Sequence, residues 1–174
     1  MKMPPPPPLP PGTTLRRDVR PGDLGEIVRL HGTVYAREYG FDPTFEAYVA
    51  GPLAQLVQTH SSRDRLWIAE RAGQIVGCVA IVGASRDEAQ LRWYLVVPSD
   101  RGKGLGGRLL HEAVEFSKGC GYESVFLWTV STLTAAARLY RRFGFEKVED
   151  RPGRLWGVEV VEEKHVRQHR ASPT

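Results

Sequence analysis

Residues 96–110 read VVPSDRGKGLGGRLL: the end of an apolar strand, a proline, a glycine-rich turn and the start of a helix. Within them GKGLGG (102–107) has the spacing G-x-G-x-x-G, which chance also produces in short stretches. A dinucleotide fold sets that fingerprint directly behind its first strand. It also places an acid near the end of the next strand to hold a ribose. Here Pro98, Ser99, Asp100 and Arg101 separate the strand from the glycines, and the next strand ends LWTV (127–130) without a carboxylate. The phosphate loop of nucleoside triphosphatases fails too, since no Gly-Lys-Ser/Thr is present. What survives is the physics of the turn. A helix opening on glycines exposes backbone N–H groups with no intrahelical acceptor, and its dipole adds roughly half a positive charge. That is an anion site fit for a pyrophosphate. Gly102, Gly104, Gly106 and Gly107 let the backbone approach closely, and Arg101, Lys103 and Arg108 supplement the charge.

Working outward, TLRRDV (14–19) is a short strand closed by Pro21-Gly22. Asp23 is positioned to cap a helix to about Tyr39, with Gly40 as its terminator. Asp42 caps a second helix towards Thr59, which Pro52 is expected to break or kink near Gly51. LWIAER (66–71) and QIVGCVAIVG (74–83) form a hairpin around Ala72-Gly73, and AQLRWYLVV (89–97) is a third long strand. The glycine loop then opens a helix to about Cys120, SVFLWTV (124–130) is a strand, and Thr132 caps a helix through Phe143. FEKVED (145–150) and a segment within 155–167 supply the last strands. The order β-α-α-β-β-β-α-β-α-β-β is an α/β mixture with one βαβ crossover at its centre.

Composition narrows the function classes. With 174 residues, 41% hydrophobic and 25% charged, the chain has the size and balance of one globular domain. Apolar runs such as WYLVV (93–97) fall far short of the roughly 20 residues of a membrane span, so no membrane role is expected. Cys78 and Cys120 lack C-x-x-C spacing, and His111-Glu112 lacks the second histidine of H-E-x-x-H. No metal is therefore expected, and the cysteine usage suits a reducing cytoplasm. A net charge of +4 and a pI near 9.3 invite a nucleic-acid reading. Yet the basic residues are interleaved with 20 acidic ones, without a helix-turn-helix, zinc-finger or RNP pattern. Residues 4–11 are seven prolines and one leucine, so 1–12 reads as an unstructured leader or SH3-type ligand. The folded domain spans 13–168, with a frayed end at 169–174.

At this point the chain resembles the GCN5-related N-acetyltransferases (GNAT). Their cofactor motif [RQ]-x-x-G-x-[GA], behind a strand often ending V-x-P, is matched by Arg101, Gly104 and Gly106 in 96–110. A helix ending L-Y-x-x-x-G-F is matched by LYRRFGF (139–145). The element order matches from about residue 14 to 167. A narrower likeness, carried by YAREYGFDPTFEAYV (35–49) and LWTVSTLTAAARLYRRFGF (127–145), is to the acetyltransferase module fused behind MarR-type regulators. The resemblance implies a mixed, mostly antiparallel twisted sheet of six to seven strands, flanked by about four helices. A V-shaped splay would separate its fourth and fifth strands.

It implies acetyl-CoA as co-substrate and an amine of a small molecule or protein as acceptor. The pyrophosphate would lie on the amides of Gly102, Lys103, Gly104, Leu105, Gly106 and Gly107, and pantetheine along Tyr94, Leu95 and Val96. Tyr140 would be the general acid for the leaving thiolate. Many members carry an asparagine seven positions before that tyrosine, where this chain has Leu133. Glu70 is the first candidate base, with Glu38 and Glu46 as alternatives. The acceptor pocket is expected from Tyr35, Tyr39, Phe41, Phe45, Tyr48, Trp67, Trp93 and Trp128. Dimerisation through the last strands is common in the family. Two other readings stand beside the enzyme: a non-catalytic acyl-CoA-binding module, and a nucleic-acid-associated accessory protein supported by pI alone.

Overall fold

The computed structural model of the chain describes residues 3–59 and 61–169. Among them, elements follow in the expected order. They are β1 (Thr13–Arg16), α1 (Asp23–Tyr39), α2 (Thr44–Thr59), β2 (Arg65–Arg71), β3 (Gln74–Gly83), β4 (Glu88–Val96), α3 (Leu105–Gly119), β5 (Ser124–Val130), α4 (Thr134–Arg142), β6 (Glu146–Leu155) and β7 (Val158–Gln168). The strands form one sheet in the order β1-β2-β3-β4-β5-β7-β6. Every neighbouring pair is antiparallel except β4–β5, which the crossover through α3 makes parallel.

Both faces of the central strands are covered, while β6 at the sheet edge stays exposed. Leu105, Leu109, Leu110 and Ala113, one stripe of α3, pack with Trp67, Val79 and Leu91 on one face. Ile27, Leu30 and Val34 of α1, with Phe45, Val49 and Leu53 of α2, cover Ile68, Ala80 and Leu95 on the other. This is why β2 and β3 read as near-continuous apolar runs rather than alternating ones.

Two departures from regularity in β4 shape the molecule. First, β4 and β5 pair only at Glu88–Gln90 with Ser124–Phe126, then diverge, while β5 stays paired with β7 along its whole length. This is the splay between the fourth and fifth strands. Second, Cys78 and Ala80 of β3 oppose Leu95 and Arg92, so β4 carries one extra residue. Trp93 sits there at φ 49, and the buried Cys78 thiol donates to its carbonyl at 3.1 Å. The extra residue turns the strand over. Ala89 and Leu91 pack with the α3 face, whereas Trp93 and Leu95 pack with α1 and α2.

Three local expectations are corrected. Pro52 does not break α2, which runs on to Thr59. The bond it removes is one from its own position to Tyr48, on the exposed side, and buried Val49 and Leu53 pin both halves. Asp23 does not cap α1; Gly22, at φ 94, holds that position. The Asp23 carboxylate instead accepts from the Arg20 N–H at 2.6 Å and from the Arg16 guanidinium at 2.7 Å. Thr132 does not cap α4 either, because the helix starts later, with Leu133 at its cap position. Asp42 does cap α2, accepting from the Thr44 N–H at 2.9 Å. The end expected at 169–174 lies, apart from His169, outside the described residues.

Candidate active site

The splay opens a cleft of about 580 Å³ between the free edge of β4, the start of α3 and the start of α4. That is within the ordinary range for a ligand pocket, roughly 300–1,000 Å³. Gly102 (φ 75) and Gly104 (φ 89) hold the left-handed conformation that the turn into α3 demands. The first intrahelical bond of that turn runs from the Arg108 N–H to the Gly104 carbonyl at 3.0 Å. The N–H groups of Leu105, Gly106 and Gly107 precede it and lack helical acceptors. A Cβ on Gly106 would run into the Tyr94 hydroxyl, so glycine there leaves room for the Tyr94 side chain against the start of α3.

The cleft brings together Tyr94, Leu95, Val96, Arg101, Gly102, Gly104, Gly106, Gly107, Leu133 and Tyr140. Three other expected residues are placed elsewhere. The Lys103 ammonium donates to the Ser99 carbonyl at 2.8 Å, away from the cleft. The Leu105 side chain is 1% exposed inside the α3 core, leaving only its backbone available. Glu70 is not in the cleft at all and is withdrawn as a base. It accepts from Arg16 at 3.0 Å and lines a separate groove with Asp23 and Asp100. Glu46 packs over Gly32 of α1.

Arg101 is more constrained than its motif position suggests. Its guanidinium makes a bidentate pair with Glu38 at 2.6 and 3.0 Å, and its Nε donates to the Val96 carbonyl at 3.1 Å. The pair raises the Arg101 pKa and offsets its charge, so an anion held at this turn would rest chiefly on backbone N–H groups. The Val97 N–H bonds to Val76 on β3 at 3.0 Å. Strand alternation therefore turns the Val96 N–H the other way, into the cleft.

The proline-rich segment expected as an unstructured leader lies along this opening. Pro4, Pro5 and Pro7 line the cleft, the Pro7 ring would lie 3.3 Å from a Cβ on Gly107, and Arg108 donates to the Pro7 carbonyl at 3.5 Å.

Tyr140 is 5% exposed, its ring 5.7 Å from that of Tyr94 and 6.2 Å from that of His165. Burial, reinforced by Tyr94 and Tyr35, pushes its pKa well above the ordinary tyrosine value, and the same holds for Tyr94. Both phenols are therefore protonated at neutral pH.

A second, smaller cavity of about 100 Å³ adjoins the cleft and shares Tyr35, Tyr94, Leu133 and Tyr140 with it as a common wall. Its aromatic sides include Phe41, Phe45, Tyr48, Trp93 and Trp128, as the composition of these segments led one to expect. Tyr39 belongs to the larger cleft instead. Trp67 is withdrawn from the pocket: it is 1% exposed in the opposite core, edge-on to Phe116. Residues that sequence reasoning missed complete the cavity, namely His31, Arg92, Thr129, Trp156 and Glu162. Burial raises the pKa of Glu162, with Arg151 opposing. No sequence motif marks them; the only signal was a histidine and an acid amid aromatic segments.

Among the described residues no group of three or more His, Cys, Asp or Glu could hold a metal ion, and no helix is long and apolar enough to cross a membrane.

Residues 32–145 match the acetyltransferase (GNAT) family. The chain is 35% identical over 134 residues to an uncharacterized N-acetyltransferase of Schizosaccharomyces pombe, covering 74% of this chain and 80% of that protein. It is 32% identical over 132 residues to the uncharacterized N-acetyltransferase YjgM of Escherichia coli K12, covering 73% and 78%. Among solved structures, an acetyltransferase of Streptococcus agalactiae superposes with a TM-score of 0.75 at 18% identity, covering 91% of this chain and 99% of that one. The acetyltransferase yncA of Salmonella typhimurium, solved with its cofactor acetyl-CoA, gives a TM-score of 0.68 at 20% identity, covering 94% and 98%.

Proposed function

Because the chain belongs to the GNAT acetyltransferase family, we propose that it transfers the acetyl group of acetyl-CoA directly to a primary amine of a small molecule or protein. One observation carries this reading. The uncapped start of α3, the free edge of β4 and the buried Tyr140 converge on a single cleft.

The fit to acetyl-CoA can be read residue by residue. Backbone N–H groups from Gly102 to Gly107 hold the pyrophosphate, helped by the α3 dipole. The β4 edge at Tyr94, Leu95 and Val96 receives the pantetheine arm as an added strand would be received. The Val96 N–H faces the thioester carbonyl and steadies the charge that develops on its oxygen as the amine attacks.

The attacking nitrogen forms the new C–N bond while the C–S bond breaks and the electron pair leaves on sulfur. Tyr140 donates its phenolic proton to that thiolate. Its raised pKa keeps it protonated at neutral pH but makes it a reluctant source of protons. The proton it hands over is therefore replaced, in the same step, by the one leaving the amine. Neither cysteine lines the cleft, and Cys78 is buried with its thiol on the Trp93 carbonyl. That favours direct transfer over a covalent acyl-enzyme.

The test is thiol release across a panel of amines. Tyr140→Phe should lower kcat about a hundredfold or more while leaving the acetyl-CoA Kd unchanged; an unaltered kcat rejects the acid role. A second reading, a non-catalytic acyl-CoA-binding module, is favoured by Leu133, an apolar side chain in both cavities where many relatives carry asparagine. Tight acetyl-CoA binding without thiol release from any amine would establish it.

A further inference from the structure

The wall of the smaller cavity holds a residue with a buried polar atom that has no partner in the protein. His31 is 3% exposed, and its Nδ1 lies 2.8 Å from the Ile27 carbonyl oxygen, four residues back along α1. A carbonyl only accepts, so Nδ1 carries the proton. Nε2 is left as a bare lone pair, and it is buried without any partner in the protein. Buried acceptors are rarely left so. His31 is also one of the residues lining the cavity. Thr129 on β5 also lines the cavity, and its buried hydroxyl is likewise unpartnered.

Resting on the acetyltransferase reading, we propose that His31 is the acceptor-binding residue: its Nε2 takes a hydrogen bond from an N–H of a compact, weakly basic amine of the α-amino type. The cavity adjoins the place where the acetyl group would lie, since Tyr94 and Tyr140 wall both spaces. Its small volume, about 100 Å³, limits the amine to a compact head, and its aromatic walls suit a short apolar stem.

The choice of basicity follows from the groups that face His31. On α1 it stacks against Tyr35, and Glu46 of α2 lies over the adjacent Gly32. Tyr48 from α2, Arg92 and Tyr94 from β4, Tyr140 from α4 and Glu162 from β7 complete the titratable lining. Burial pushes His31 down to about 4, so Nε2 accepts a hydrogen bond without taking the proton. Burial raises the pKa of Glu162, with Arg151 opposing, while a lysine-type alkylammonium ordinarily titrates at about 10.4. The amine must therefore bring its own neutral fraction. At pH 7 an α-amino group, with a pKa of about 7.7–8.0, exceeds a lysine-type amine in that fraction by on the order of several hundredfold.

The experiment compares wild type with His31→Phe, which keeps a ring without the lone pair, and His31→Gln, which restores an acceptor. Glycinamide and propylamine serve as acceptors of similar size, with acetyl-CoA saturating. His31→Phe is expected to lose about ten- to a hundredfold in kcat/KM for glycinamide with the acetyl-CoA Kd unchanged, and His31→Gln to regain part of it. Glycinamide should outpace propylamine at pH 7, with the gap narrowing as pH rises towards 10. An unchanged kcat/KM in His31→Phe, a parallel loss of acetyl-CoA binding, or a preference for propylamine at pH 7 overturns the proposal. If wild type binds acetyl-CoA but acetylates neither amine, the enzymatic reading fails on its own. The ¹⁵N resonance of His31 Nε2, followed in the CoA complex as glycinamide is added, still decides the binding role. A shift to lower frequency supports it, and no change overturns it.

Discussion

A buried neutral imidazole should make this fold acid-sensitive in a calculable way. An unfolded-state histidine titrates near 6.5, whereas His31 in the fold is held down to about 4 by desolvation. Between those values the unfolded chain binds the extra proton and the folded one does not. Stability therefore rises with pH through the window, and falls as pH drops from about 6.5 to about 4. Integrating over that window, His31 alone removes about 2 kcal/mol between pH 7 and pH 5. For a domain of this size that corresponds to roughly 4–8 °C in Tm. The measurement is denaturant unfolding of wild type, His31→Phe and His31→Gln at both pH values. His169, also lowered to about 4, and the paired carboxylates are common to all three proteins and cancel in the comparison. The wild type should lose about 2 kcal/mol more than either variant on acidification. Parallel losses in all three would mean that His31 is not held neutral by burial, and the lone-pair argument would fall with it.

Other perturbations test the cofactor side. Gly106→Ala drives a Cβ into the buried Tyr94 hydroxyl, so acetyl-CoA affinity should drop about tenfold or more by calorimetry; an unchanged Kd would show that the β4–α3 approach does not shape the cleft. Removing residues 1–11 should tighten acetyl-CoA binding several-fold, because Pro4, Pro5 and Pro7 line the opening and a competing segment lowers the competent fraction. Equal affinity with and without the segment would rule out competition. Glu38→Gln frees the Arg101 guanidinium, and acetyl-CoA should then bind more tightly at low ionic strength, the gain fading as salt is added. A gain independent of salt would contradict the electrostatic account.

The half of the cleft proposed to hold the cofactor was legible because it is nearly contiguous. Arg101, the glycines and the α3 stripe all lie between residues 101 and 113, and a helix N-terminus advertises its unsatisfied N–H groups through the glycines that let a ligand reach them. Tyr140 was singled out only through the resemblance carried by LYRRFGF (139–145), and the fold places it in the wall of the cleft. Glu70 misled because its strand position says nothing of its partner. Arg16 and Asp23, more than forty residues earlier, draw it into an ion-pair cluster on another part of the surface.

The half proposed to hold the acceptor was hidden by a single geometric event in β4. Read with period two, Ala89, Leu91, Trp93 and Leu95 belong to one face, and their burial does alternate that way along the strand. The bulge at Trp93 preserves that alternation of buried and less buried residues while exchanging the faces behind it, so no pattern in the sequence betrays the switch. Its consequences are specific. Trp93 joins the aromatic wall beside α1 and α2, and Tyr94 is turned towards Gly106 at the start of α3. One residue of slip thus gives neighbouring aromatics to two different cavities and leaves Tyr94 in the wall between them. The cavity next to His31 lies where β4, having parted from β5 after Gln90, changes faces between Arg92 and Leu95, and both events depend on pairing with strands distant in sequence. A local motif can announce a phosphate cradle, but an acceptor pocket assembled from α1, α2, β4, β5 and β7 becomes visible only once those pairings are known.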